Sequence, residues 1–315
     1  MKVYRSWEES GADLRASAIT VGTLDGVHLG HQVLIARTVH EARAKELSAV
    51  AVTWDRHPNE TLRPDRAPLL LTTLDRKLEL LDATGLDAVL VLPFDDELSS
   101  WSPERFVQVV LTQGVHARAV FVGSDWRFGH RAAGDVPMLA ELGRIYGFQA
   151  EGMKLQEVAG GAVSSSRVRQ AVANGDMELA RTLLGRAFDI DGTVIHGDAR
   201  GAGMGVPTAN LPPEPRMAQP SRGVYAGRAR AAGRWYAAAV NVGVNPTFGG
   251  DPTTGVSRIE AYLLDFDGSL YGQAIRVEFW ARLRDEQKFA STDALVGQIQ
   301  QDVEATRRVL AGGAA

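Results

Sequence analysis

The chain of 315 residues contains no cysteine, which removes disulfides, thiolate nucleophiles and cysteine-ligated metals together. It has no apolar run near the ~20 residues that span a bilayer. The opening MKVYRSWEES is polar and charged, unlike a signal peptide. No membrane partner is expected, and a cytoplasmic location is. Positive charge is not in excess either: 34 Lys and Arg stand against 38 Asp and Glu, a net charge of −4. Without a basic stripe there is no general pull toward nucleic acid, so none is expected as a partner and any phosphate site must be local. Internal repeats and long low-complexity linkers are missing as well. What is present is an ordinary globular composition, 45% apolar and 23% charged. The length favours two domains, each able to bury a core of its own. Nothing in the sequence speaks to oligomeric state.

The two halves differ in pattern. In the first, short apolar runs alternate with amphipathic stretches. Strands are predicted at Ala18 to Val21, Ala49 to Thr53, Ala88 to Leu92 and Ala119 to Val122. Helices are predicted from about His31 to Leu47, around Lys77 to Thr84, at Phe106 to Gln113 and at Pro137 to Tyr146. This alternation implies an α/β fold with a mostly parallel, Rossmann-like sheet that binds ligands beyond the strand carboxyl ends. From Phe188 onward the strand-like runs are 188–195, 223–230, 235–242, 259–264 and 274–280, separated by Gly, Pro and Asp clusters. They predict a small antiparallel β-barrel, closed by a C-terminal helix over 293–310. The domain limits are expected at 1–185 and 186–315, with a short join near Gly185 to Asp189.

Residues 20–31 read TVGTLDGVHLGH. Gly22, Gly26 and Gly30 permit close backbone approach, and the helix that follows offers free N–H groups and a positive dipole end. His28 and His31 are three apart, so both imidazoles can face one anion. As a metal site the pair is poor, because no third ligand follows at a recognisable spacing. Phosphate binding is the better reading.

HLGH resembles the HxGH motif of the nucleotidyltransferase superfamily related to class I aminoacyl-tRNA synthetases. TWDRHP (53–58), VGSDWRFGHRAAGD (122–135), VSSSRVR (163–169) and NGDMELARTLLGR (174–186) resemble successive segments of prokaryotic FAD synthetases. The resemblance implies that His28 and His31 stabilise ATP phosphates as pyrophosphate leaves. It also implies that Gly22, Gly30, Ser164, Ser165, Ser166 and Arg167 hold ATP, with Arg169 the alternative clamp for pyrophosphate, and that Asp125 and Trp126 contact flavin or nucleotide, magnesium being the alternative for Asp125. The serines also suit ordinary helix capping, and Asp125 a turn. Trp54 and Trp126 replace the family's usual Phe, Ser166 its Thr and Arg56 its frequent Pro, the last putting the geometry of that loop in question.

Residues 196–210, HGDARGAGMGVPTAN, are glycine-rich but lack the Gly-Lys-Ser/Thr ending of a P-loop. They resemble the RGxxLGxPTAN segment of riboflavin kinases. NVGVNPTF (241–248), IEAYLLDFDGSLYG (259–272, with Tyr262 for the usual His) and RDEQKF (284–289) resemble further segments of that family, in its order. Together the matches cover nearly the whole chain in the arrangement of bifunctional riboflavin kinase/FAD synthetases. The resemblance implies riboflavin, FMN, FAD and ATP as ligands. In the kinase half it assigns Gly201, Gly203, Gly205, Pro207, Thr208 and Asn210 to ATP, Thr208 and Asn210 to Mg2+, and Glu260 to general-base catalysis. Asp265 and Asp267 do not open an EF-hand, since positions 6 and 12 are then Leu270 and Arg276; a hairpin at Asp267-Gly268 is expected instead. Two other readings are a binding or regulatory module with one inactive half, and an RNA-linked enzyme. The intact Thr208, Asn210, Glu260, His28 and His31 oppose the first, and the acidic balance opposes the second.

Overall fold

The computed structural model describes residues 1–196, 206–212, 214–243 and 258–312. The chain packs as two compact units, Met1–Ser165 and Ser166–Ala315. The division falls at the first turn of a helix, Ser165–Asn174, which with Met177–Leu184 precedes the strands of the second unit.

The first unit is built on strands β1 (Lys2–Tyr4), β2 (Ser17–Val21), β3 (Ser48–Trp54), β4 (Ala88–Leu92), β5 (Ala117–Gly123) and β6 (Gln149–Met153). They form one parallel sheet in the order β1-β4-β3-β2-β5-β6. β2 and β4 are buried at every position, as expected of parallel strands covered on both faces. Each fully buried Val, Leu or Ile there contributes roughly 1.5–3 kcal/mol, so this core fixes the ends of the strands from which the loops spring. β2 lies between β3 and β5, and the winding direction reverses there. That reversal opens the crevice at the carboxyl ends of β2 and β5, where such sheets bind ligands. Two edge strands, β1 and β6, were not legible in the sequence: KVY is too short to show a period, and QAEGM is poorly buried. A small antiparallel pair, β7 (Glu157–Val158) and β8 (Gly161–Ala162), follows them.

The second unit contains β9 (Phe188–Thr193), β10 (Ala209–Leu211), β11 (Gly223–Ala231), β12 (Arg234–Gly243), β13 (Arg258–Leu263) and β14 (Ala274–Arg284). They are antiparallel in the order β10-β13-β12-β11-β14-β9. The edges meet where the Ile195 N–H donates to the Asn210 carbonyl, 2.9 Å. Strict alternation sets the faces: Ile259, Ala261 and Leu263 are buried, while Glu260 and Tyr262 point to the other side. The expected hairpin at Asp267-Gly268 is not formed. β13 pairs with β10 and β12, whereas β14 pairs with β11 and β9, so the intervening chain passes the ends of β12 and β11 instead of doubling back. The last helix, Thr292–Gly312, packs on β11, β12 and β14. Among the described residues no helix is long and apolar enough to cross a membrane.

Candidate active sites

In the first unit the chain leaves β2 through a strained turn: Leu24, Gly26 and Val27 all have positive φ, at 51°, 79° and 40°. Asp25 holds this shape. It is 3% exposed and accepts the N–H groups of Leu71 and Thr72 at 3.0 and 3.1 Å, while the Gly26 N–H donates to Thr72 Oγ1 at 3.2 Å. Gly30 lets the turn pack closely: a Cβ there would lie 3.2 Å from the His28 ring and 3.4 Å from the Val163 carbonyl, so the ring would have to give by a few tenths of an ångström.

His28 caps the helix Leu29–Ala44, its Nδ1 accepting the His31 N–H at 3.3 Å. Nδ1 therefore carries a lone pair, and the ring's proton sits on Nε2. The His31 ring stacks on that of His28 at 3.6 Å and 16°, so the pair sits side by side. Burial, then the neighbouring His28, then the Lys77 cation push His31 well below the ordinary histidine pKa. His31 Nδ1 is buried with no hydrogen-bond partner. At neutral pH the ring is thus an uncharged hydrogen-bonding group. Ser165 Oγ donates to the Asp25 carbonyl at 3.0 Å, which ties the serine segment to the turn. Ser164 lies in the same unit, whereas Ser166 and Arg167 open the second.

A cavity of about 860 Å³ touches this turn through Gly22 and Thr23. Trp54, Phe94, Phe106, Trp126 and Phe128 form its aromatic lining. Trp126 stacks on Phe128 at 4.6 Å and 12°, while Trp54 meets Phe94 edge-on at 5.5 Å. Flat aromatic faces of this kind suit a planar ring ligand. Arg63, Arg127 and Arg131 also line the cavity, with His130 beside them, and the three guanidinium groups add positive charge suited to a phosphorylated ligand. Asp125 is exposed and does not line it. Arg56 turns onto Asp55 at 2.9 Å, and the loop continues undisturbed into the helix Pro58–Leu62, capped by His57.

In the second unit Glu260 is opposite Asn210 on one side and Asn241 on the other. Residues directly opposite share a face of the sheet. Thr208, Asn241, Glu260 and Tyr262 line one cavity of about 450 Å³ with Arg284, Phe289 and Asp302. Asn210 Nδ2 donates to the Thr208 carbonyl at 3.1 Å and to its hydroxyl at 3.4 Å. Its Oδ1 is buried without a hydrogen-bond partner. The amide nitrogen is the group turned to the Thr208 hydroxyl; the orphaned Asn210 oxygen and that hydroxyl are nonetheless hard oxygen ligands of the kind a cation takes when most of its other ligands are water and phosphate oxygens. Arg258 Nη1 is 3.9 Å from Glu260 Oε1. Pro207 is exposed, and Gly201, Gly203 and Gly205 lie outside the described residues.

Sequence reasoning missed several groups here. Arg284 grips Asp302 of the last helix bidentately, at 2.9 and 2.7 Å, and so fixes that helix beside the cavity. Asn241 joins the site only through strand register, although its alternation along β12 was a usable signal. The aromatic partners Phe94 and Phe106 come from separate loops and helices and carried no local signal.

Comparison with known proteins matches a family model described as FAD synthetase to residues 10–167, and one described as riboflavin kinase to residues 184–310. The bifunctional riboflavin kinase/FMN adenylyltransferase of Pseudomonas fluorescens is 37% identical over 314 residues, covering 100% of this chain and 99% of the relative. That of Escherichia coli strain K12 is 36% identical, covering 99% and 98%. A crystal structure from Streptococcus pneumoniae, described as a macrolide-efflux protein, superposes with a TM-score of 0.86 at 29% identity, covering 98% of this chain and 99% of that one.

Proposed function

Because the chain belongs to the bifunctional riboflavin kinase/FMN adenylyltransferase family, it makes FMN from riboflavin and FAD from FMN with ATP in both steps, and we propose which residues carry each step. The kinase step is assigned to 186–315 and the adenylyl step to 1–185.

In the kinase step a riboflavin hydroxyl attacks the γ-phosphorus, the new O–P bond forms, and ADP leaves. An alcohol needs a base at neutral pH. Glu260 is the proposed base, because it is the carboxylate set between Asn210 and Asn241 in the cavity that Thr208 lines. This juxtaposition is the observation that carries the assignment. The donor set of Thr208 Oγ1 and Asn210 Oδ1 fits Mg2+, which when bound neutralises phosphate charge. The glycines 201, 203 and 205 and Pro207 are assigned to ATP on the motif.

In the adenylyl step an FMN phosphate oxygen attacks the α-phosphorus and pyrophosphate leaves. A phosphate monoester, with a second pKa near ~6, is already largely dianionic, so no strong base is needed. The task is to align two anions and stabilise the leaving group. His28 and His31 are proposed to donate hydrogen bonds to the departing phosphates, with Gly22, Gly30 and the helix amides forming the cradle. Trp126 is proposed to stack on the flavin. Ser164, Ser165, Ser166, Arg167 and Asp125 are carried as ATP or flavin contacts on the motif. ATP as donor in both steps also favours the cytoplasm, where ATP is made and held.

The experiment is a crossover. Glu260→Gln should stop FMN formation and spare FAD formation from supplied FMN, and His28→Ala the reverse. Variants that each silence both steps would overturn the division of residues.

A further inference from the structure

Lys77, on the helix Leu74–Asp82, is 6% exposed and is the one buried lysine or arginine among the described residues. Its Nζ donates to the Trp54 carbonyl at 2.8 Å, to the Thr23 carbonyl at 3.2 Å and to Thr53 Oγ1 at 3.2 Å. Three acceptors use all three protons of an ammonium, whereas a neutral amine has only two to give. None of the three acceptors carries a charge. A buried cation without a contacting anion is costly where an apolar side chain of similar length would fill the space.

The position explains the choice. Thr23 and Trp54, the residues Lys77 grips, both line the 860 Å³ cavity. Thr53 Oγ1 in turn donates to the Thr23 carbonyl at 3.0 Å, so the lysine closes a small network joining the nucleotide turn to the end of β3. On another side its charge reaches His31 and helps keep that ring unprotonated. The charged groups facing Lys77 are Asp25 of the turn and Asp55 beyond β3. Both are otherwise engaged, Asp25 with the Leu71 and Thr72 N–H groups and Asp55 with the Phe94 N–H and Arg56.

We propose that Lys77 is a positioning residue for adenylyl transfer: it locks Thr23 to Trp54 and sets a fixed positive charge between the aromatic cavity and the histidine pair, where two phosphate groups must meet. The inference rests on reading the first unit as the adenylyl site. FMN and ATP repel each other as they align, and a preorganised cation lowers that repulsion without moving during the reaction. Burial pushes Lys77 down to about 8, against the upward pull of Asp25 and then Asp55. Above that pH the ammonium loses one donor and its charge together. Alignment of FMN with ATP should therefore weaken in base, while riboflavin phosphorylation in the other unit should not.

The test is kcat/KM for FAD formation from FMN against pH, in the wild type and in Lys77→Met, with flavin-fluorescence titration of FMN binding. The wild type should lose activity with an apparent pKa of about 8. Lys77→Met should lower kcat about 10- to 100-fold, less than the ~10²–10³ lost with a donor that touches the developing charge. It should also remove the basic limb, leave FMN binding within about threefold and leave kinase turnover unchanged. A wild-type profile flat through pH 9 would overturn the proposal without any variant. So would a Lys77→Met enzyme that keeps the limb or the rate, or one that loses FMN binding along with FAD formation, which would make the residue merely structural. Unimpaired FAD formation by His28→Ala would instead overturn the reading of the first unit itself.

Discussion

Replacing Glu260 by Gln changes one atom's chemistry and almost nothing of the packing. The side chain stands on β13 between Asn210 and Asn241, 36% exposed, with Arg258 Nη1 at 3.9 Å. The ion pair is long, but the Arg258 side chain is only 10% exposed, so losing the carboxylate charge costs more than the ~0–1 kcal/mol of an exposed pair. A melt of the variant beside the wild type checks that it is folded. The amide keeps the volume and a hydrogen-bonding oxygen but cannot take the riboflavin proton. Loss of a positioned base costs ~10²–10⁴ in rate, or about 2.7–5.4 kcal/mol of barrier at 1.36 kcal/mol per decade. The assay is initial-rate FMN formation from riboflavin and ATP, with FAD formation from supplied FMN measured in parallel on the same preparation. A Glu260→Gln enzyme that phosphorylates riboflavin within threefold of the wild type would refute the assigned base.

Three further outcomes follow from the first unit. His28→Ala removes the cap of the helix Leu29–Ala44 and the stacking partner of His31; FMN should accumulate from riboflavin while FAD formation drops, and equal loss of both would point to misfolding. Trp126→Phe should reduce, without abolishing, the tryptophan quenching caused by FMN, because Trp54 stays in the cavity; unchanged quenching would put Trp126 outside the flavin's reach. His31, held well below the ordinary histidine pKa, should make the fold acid-sensitive. Above pH ~6.5 the ring is neutral folded and unfolded alike. As pH falls below that, the unfolded chain gains a proton that the folded ring refuses, so stability falls by at most about 1.4 kcal/mol per pH unit. Thermal melts from pH 7 to 5 should show a slope that His31→Gln flattens, and an unaltered slope would assign it elsewhere.

The parts of the molecule that were legible in the sequence are those set by local pattern. The continuous apolar runs AVLVL and SAVAVTW announced covered parallel strands, and the alternation IEAYL announced a half-buried antiparallel one. HLGH and PTAN gave the positions of His28, His31, Thr208 and Asn210 because those groups are contiguous. What stayed hidden depends on register and on pairs distant in the chain. Asn241 faces Glu260 only through the pairing of β12 with β13, and Arg284 reaches Asp302 across the final loop. Lys77 looks like an ordinary helical lysine until its helix is laid against the ends of β2 and β3. The hairpin expected at Asp267-Gly268 failed for a related reason: a good turn dipeptide says nothing about which strands become neighbours.

The most direct test of the whole account is chromatography of flavins after the purified chain is incubated with riboflavin, ATP and magnesium. The account predicts that FMN appears first and is then converted to FAD with release of pyrophosphate, while FMN supplied in place of riboflavin goes to FAD without a lag. A time course in which neither FMN nor FAD forms would contradict it.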